Sequence, residues 1–270
     1  MTIMIAEKTK QYIDHLTAQG QISFTRQKMQ QTMQITAKAA ERAIYYLRKR
    51  GEIASPARGY YLILTPEFRQ LGCLPPDYFI DDLMQHWQQE YYVGLLTAAL
   101  YFGAAHQQLQ TFQVVVSKPR PGIHCGSVRV EFITKGETGK TPTQQLKTRT
   151  GYMTVATPEA TMLDLIQFMN RCGGLNHVAT VLDELVESVD PKVLKELLIK
   201  KHERTVLQRL GFLLEFLGHD AISDVVYQCL TKALRVVPLD PHISFTGAKR
   251  HVKWKVALNT TIESDLDDTY

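Results

Sequence analysis

The chain has 270 residues, 44% of them hydrophobic, and a formal net charge of +4. That hydrophobic content is enough for a real core and excludes a disordered chain; the length allows one large domain or two ordinary ones. The charge is uneven: residues 1–72 hold 11 Lys or Arg against five Asp or Glu, +6, so the remainder is −2. A basic first module on a near-neutral body points to a polyanion partner for that module alone.

The four cysteines, Cys73, Cys125, Cys172 and Cys229, form no CxxC and no disulfide or zinc spacing, which fits a reducing compartment. The N-terminus has no long apolar segment of the kind a signal peptide needs. The longest apolar run, residues 91–105, is too short to span a membrane and reads as a buried helix.

In chain order, residues 2–19 read as a first helix ended by Gly20. Ser23 or Thr25 caps a second helix to about Met33, and Thr36 caps a third to Gly51. EIAS and YYLILT then read as two strands around SPARG. Three helices and a hairpin in about 65 residues is the order of a winged helix-turn-helix. A Pro-rich linker, 65–79, follows, with the domain boundary near Gly72. Beyond it come helices over roughly 80–90 and 93–103, and strands within 111–118, 128–135 and 151–157. In the second strand Val128, Val130 and Phe132 alternate with Arg129, Glu131 and Ile133. Pro158 starts another helix, and Asn176 to about Leu234 is helical, broken at Asp190-Pro191 and Gly218. The tail after Lys255 is acidic and expected to be partly mobile. The fold class expected is α+β, an N-terminal winged helix-turn-helix (1–72) with a larger mixed α/β domain (73–270).

On a helical wheel the third helix splits. Ala40, Ala43, Ile44 and Leu47 share one side; Lys38, Arg42, Tyr45 and Lys49 gather within roughly 60° on the other. Arg48 and Arg50 flank the basic stripe, and Glu41 is the one acid at its edge. Lysine and arginine neutralise phosphates, and arginine also reads guanine edges. Arg26, Gln27 and Lys28 open the second helix, where N–H groups can fix a phosphate. Arg58 sits at the hairpin turn. This set points to duplex DNA rather than single-stranded RNA, because adjacent Tyr60 and Tyr61 cannot both face outward on a strand.

Other motifs carry less. GETGKT (136–141) lacks the first glycine of a phosphate-binding loop, and Pro142 stands where a helix should begin. The nine histidines make no metal-ligating pattern, although His106, after the apolar helix, suits a structural role. Glu159 and Asp164 do not stack on one helix face, so they form no acid–base pair; Glu159 suits the first turn of its helix. Neither a catalytic residue, a metal nor a cofactor is expected. Lys249 and Arg250, with Lys253 and Lys255, make a second basic patch.

Residues 91–115, 143–168, 173–185 and 238–250 resemble, in order, the AbiEi antitoxin family. The resemblance implies a bacterial cytoplasmic, non-enzymatic protein of a type IV toxin–antitoxin, abortive-infection system. It implies an N-terminal domain that binds inverted repeats in its own promoter as a repressor, with the third helix as recognition helix and Arg58 in the wing. It also implies a C-terminal domain that opposes a nucleotidyltransferase-like toxin without a stable complex. Gln144, Gln145, Lys147, Thr157, Pro158 and Glu159 lie in the family-like block, and with Lys249 and Arg250 they include the candidate antitoxicity surface. A winged-helix interaction scaffold and a nucleic-acid-modifying enzyme remain as alternatives at this point.

Overall fold

The computed structural model describes residues 2–104, 109–199, 203–230 and 234–262, with backbone only for residues 2–6. His106 lies outside the described residues. The chain divides into two compact units. One comprises Met1–Tyr92, Gln110–Gly139 and Gln145–Thr154; the other comprises Val93–Leu109, Lys140–Gln144 and Val155–Tyr270.

The first unit opens with α1 (Thr2–Ala18), β1 (Ser23–Thr25), α2 (Arg26–Met33), α3 (Ala37–Lys49), β2 (Ile53–Ala57) and β3 (Tyr60–Ile63). β3 is central in a three-stranded antiparallel sheet, order β1-β3-β2. This is the winged-helix arrangement, and the chain has the expected α+β architecture. β1 is an addition to the sequence reading. Its three residues pair with Tyr60–Leu62, and Thr25 then also caps α2 by accepting the Lys28 N–H at 3.1 Å. Tyr12, Ile13 and Leu16 of α1, Phe24, Met29, and Ala43, Ile44 and Leu47 of α3 form one apolar core with Ile53 and Ile63. Phe24 meets Tyr12 edge-on and stacks on Tyr61, with ring centroids 5.7 and 5.4 Å apart. Tyr60 is buried while Tyr61 is half-exposed, as strand alternation requires.

α4 (Pro76–His86) starts inside the segment read as linker and four residues before the expected helix. Proline in the first turn has a fixed φ that suits a helix start, so the Pro-rich stretch initiates structure rather than delaying it. The run read as a single buried helix is β4 (Tyr91–Val93) followed by a short α5 (Leu95–Tyr101). Then come β5 (Phe112–Val116), β6 (Ile123–Cys125), β7 (Val128–Thr134), β8 (Thr143–Lys147) and β9 (Tyr152–Ala156). The six-stranded sheet has the order β6-β7-β5-β4-β9-β8, and β4, β8 and β9 each begin in one unit and end in the other. Within the first unit β5 runs parallel to β7 and β6 antiparallel to it. The simple alternation expected for β7 fails at Ile133, which is buried, while Phe132 is only half-buried. Phe132 packs edge-on against Trp87 at 5.8 Å, so neither face of this strand is a purely solvent face.

The second unit continues with α6 (Pro158–Gln167), α7 (Leu175–Leu185), α8 (Pro191–Ile199), α9 (Arg204–Phe216) and α10 (Asp220–Cys229). α6 is buried from Glu159 to Ile166 and packs against α5, α7, α8 and α9. Three short strands follow: β10 (Val237–Pro238), β11 (Lys249–His251) and β12 (Val256–Leu258), in the order β10-β12-β11. The tail expected to loosen after Lys255 therefore first supplies the central strand of a small sheet. No described helix is long and apolar enough to cross a membrane.

Candidate nucleic-acid interface

α3 is held at both ends. The Thr36 hydroxyl accepts the Ala39 N–H at 3.3 Å, and the Arg50 N–H donates to the Tyr46 carbonyl at 3.1 Å. Between these caps Ala40, Ala43, Ile44 and Leu47 are buried, and Lys38, Arg42, Tyr45 and Lys49 are exposed. The structure thus divides the helix as the wheel does. None of Lys38, Arg42, Lys49 and Arg58 forms an ion pair with a described residue. Tyr45 is 60% exposed and meets the Tyr46 ring edge-on at 5.5 Å; the Arg42 guanidinium lies 5.9 Å from the Tyr46 ring centre. Tyr46 itself, 42% exposed, is absent from the sequence-derived set. The signal was its place next to the stripe on the same wheel.

Not every candidate is equally free. Arg26 is exposed, but its Nη1 donates to Glu41 Oε1 at 2.8 Å, so Glu41 neutralises this end of α2. Gln27 is exposed at the start of α2. Lys28 is also exposed, and its Nζ reaches Gln21 Oε1 at 3.5 Å. Two N–H groups at the start of α2 are already used: Arg26 donates to Gly59 at 3.2 Å and Lys28 to Thr25. The Arg26–Gly59 bond ties the wing turn to α2. Gly59 has φ 78°, a left-handed conformation suited to glycine, and it leaves Arg58 exposed at the tip. Arg48 is exposed and borders the stripe on the side of Cys125.

In the family-like block, Gln144, Gln145 and Lys147 are exposed on β8, and Gln145 donates to Thr154 Oγ1 at 3.1 Å. Thr157, Pro158 and Glu159 instead build the start of α6. Thr157 caps the helix, Pro158 and buried Glu159 are in its first turn, and Glu159 also accepts the Asp190 N–H at 3.0 Å. Lys249 and Arg250 are exposed on β11. Thr138, within GETGKT, is buried in a short turn after β7. Among the described residues no group of His, Cys, Asp or Glu is arranged to hold a metal ion.

Residues 92–216 match the family model for the AbiEi antitoxin C-terminal domain. No functionally curated protein matches the chain in sequence. The fold is similar to the crystal structure of the RV2827C protein from Mycobacterium tuberculosis, with 16% identity and a TM-score of 0.67 over 93% of this chain and 90% of that one. A second solved structure, an antigenic nucleotidyltransferase-like protein from Paracoccidioides brasiliensis, has 10% identity and a TM-score of 0.37. It covers 58% of this chain and 92% of that one, too loose a likeness to inform the fold. The family assignment supports a general regulatory or antitoxin role. Over residues 92–216 the chain carries an AbiEi antitoxin C-terminal domain.

Proposed function

We propose that this protein is the antitoxin of a type IV toxin–antitoxin pair of the abortive-infection kind, and that it also represses its own operon. In this reading residues 1–72 bind double-stranded DNA at inverted repeats in the promoter, and residues 73–270 provide antitoxicity. The protein acts in the bacterial cytoplasm, is not an enzyme, and opposes a nucleotidyltransferase-like toxin without forming a stable complex with it.

The observation that supports this best is the face of α3. Three cations without ion-pair partners among the described residues stand in line with an exposed tyrosine, on a helix whose opposite face is buried. Such a helix offers arginine to guanine edges, lysine to phosphates and aromatic surface to thymine methyl groups. Arg58 reaches the adjoining backbone from the wing, and Gln27 and Lys28 approach it from α2. The AbiEi domain supports the second activity, for which Gln144, Gln145, Lys147, Lys249 and Arg250 offer exposed polar and basic surface.

Fluorescence anisotropy with a duplex from the protein's own upstream region tests the DNA reading. Affinity should fall steeply between about 50 and 200 mM salt, and Lys38→Gln should reduce the log–log slope by about one without altering sequence preference. A flat salt dependence would overturn the reading in favour of an interaction scaffold.

A further inference from the structure

The first unit contains a second chemical group, built from residues far apart in sequence. The turn between β6 and β7 closes onto the segment after Phe68. The Ser127 N–H donates to the Leu71 carbonyl at 2.8 Å, and the Ser127 hydroxyl donates to the same oxygen at 3.3 Å. Gly126 approaches so closely that a Cβ there would stand 2.0 Å from that oxygen. This contact brings Cys73 and Cys125 together, so that each thiol acts on the titration of the other. The Cys125 Sγ also lies 3.9 Å from the Gly72 carbonyl. Two parts of the winged helix favour the thiolate form of the same sulfur: the backbone of Ser55 on β2 and the charge of Arg48 on α3.

We propose that Cys73 and Cys125 are a thiol–disulfide modification site, which a low-molecular-weight disulfide converts to an intramolecular disulfide beneath the edge of α3. The two thiols have different roles. Its interaction with Cys73 pulls the Cys125 thiol down to about 7 against the effect of burial, with help from Ser55 and Arg48. The Cys73 thiol is pushed far up by Cys125 and by burial. Cys125 is therefore the attacking thiolate and Cys73 the resolving thiol. Cys125 retains 8% exposure, and its neighbours His124, Gly126 and Ser127 are exposed, whereas Cys73 is fully buried.

The Cys125 thiolate attacks one sulfur of the small disulfide RSSR, forming a mixed disulfide and releasing RS⁻. Cys73 then gives its proton to solvent and attacks the Cys125 sulfur, which forms the internal S–S bond and expels the second RS⁻. Two protein thiols are oxidised and one RSSR is reduced to two thiols. The reaction removes the thiolate that faces Arg48 and leaves the guanidinium charge uncompensated beside the basic stripe. This regulatory consequence rests on the DNA-binding reading above. Loss of one such partly exposed pairing should tighten binding by up to about fivefold at low salt.

The test uses the full chain in glutathione buffers of increasing oxidised fraction, followed by acid quench, alkylation and peptide mass analysis. The proposal expects a 73–125 linked peptide, with Cys172 and Cys229 still alkylated after unfolding. Cys73→Ser should stop at glutathione held on Cys125, and Cys125→Ser should block both steps. Absence of the linked peptide, or glutathione retained on Cys125 in the unsubstituted chain, would overturn the site. In parallel, anisotropy should show tighter DNA binding by the oxidised chain and no redox response in Cys125→Ser. A linked peptide with unchanged DNA affinity would overturn the coupling to α3. A linked peptide in a chain that binds no DNA in either state would support the thiol pair and contradict the DNA reading instead.

Discussion

The Tyr60 hydroxyl donates to the Asp82 carboxylate at 2.5 Å, joining the central strand of the wing sheet to α4. Ser23 on β1 donates its hydroxyl to the same Asp82 oxygen. One carboxylate thus fastens two strands of the winged helix to the helix that follows it. Burial, reinforced by the Asp82 charge, pushes the Tyr60 phenol well above its ordinary range, so it remains a donor throughout the accessible pH range. Asp82→Ala leaves a buried hydroxyl without this acceptor. Urea unfolding should show a loss of about 1–3 kcal/mol, and Tyr60→Phe, which removes the donor and leaves exposed Asp82 to Ser23 and solvent, should lose less from this cause. Equal stability of Asp82→Ala and the unsubstituted chain would show that the bond carries no net energy.

Gly211 in α9 lies against the fully buried Trp254 indole, and a Cβ built on it would stand 2.1 Å from the ring. Alanine normally favours a helix over glycine. Here the clash should dominate, because neither the ring nor the helix has room to move away in a packed interior. Gly211→Ala should destabilise the protein by about 3 kcal/mol or lower the yield of folded protein. A melting temperature equal to or above that of the unsubstituted chain would contradict this packing.

Glu215 accepts from Lys253 Nζ at 2.6 Å and from Trp254 Nε1 at 2.9 Å. Desolvation raises its pKa, but these two hydrogen bonds and the Lys253 and His251 charges outweigh it, and the carboxyl sits below its ordinary value of 4.5. A depressed folded-state pKa adds stability above the unfolded value, and that stability is lost as pH falls through the folded value. Glu215→Gln should therefore be less stable than the unsubstituted chain at pH 7, with the gap closing below about pH 4.5. A gap in unfolding free energy that stays constant from pH 7 to pH 3 would rule out the linkage.

The face of α3 was legible in the sequence because helical periodicity is a local property: Ala40, Ala43, Ile44 and Leu47 repeat at the right spacing. The failures have non-local causes. β1 is too short to show alternation and exists through its pairing with β3. β8, TQQLK, is polar because it is an edge strand with little to bury. In β7, Phe132 is covered by Trp87, a contact no strand pattern encodes. The Arg26–Glu41 pair and the Cys73–Cys125 contact also join distant segments, so neither was visible in residue spacing.

The two proposed activities should separate genetically. The full chain with Arg42→Ala and Lys49→Ala should derepress a promoter reporter yet still protect cells co-expressing the nucleotidyltransferase-like toxin. Lys249→Glu with Arg250→Glu should do the reverse if β11 contributes to antitoxicity. Loss of protection in the α3 variant at normal protein levels would show that both activities require the same surface. Full protection by the β11 variant would remove those two residues from the antitoxicity surface.

A gel shift on the protein's own upstream region reports directly on DNA binding by α3. The Arg42→Ala, Lys49→Ala chain should keep its circular dichroism spectrum and lose affinity by about a hundredfold, the loss expected for two phosphate or base contacts. Unchanged affinity in that variant would contradict the assignment of α3 as the reading helix.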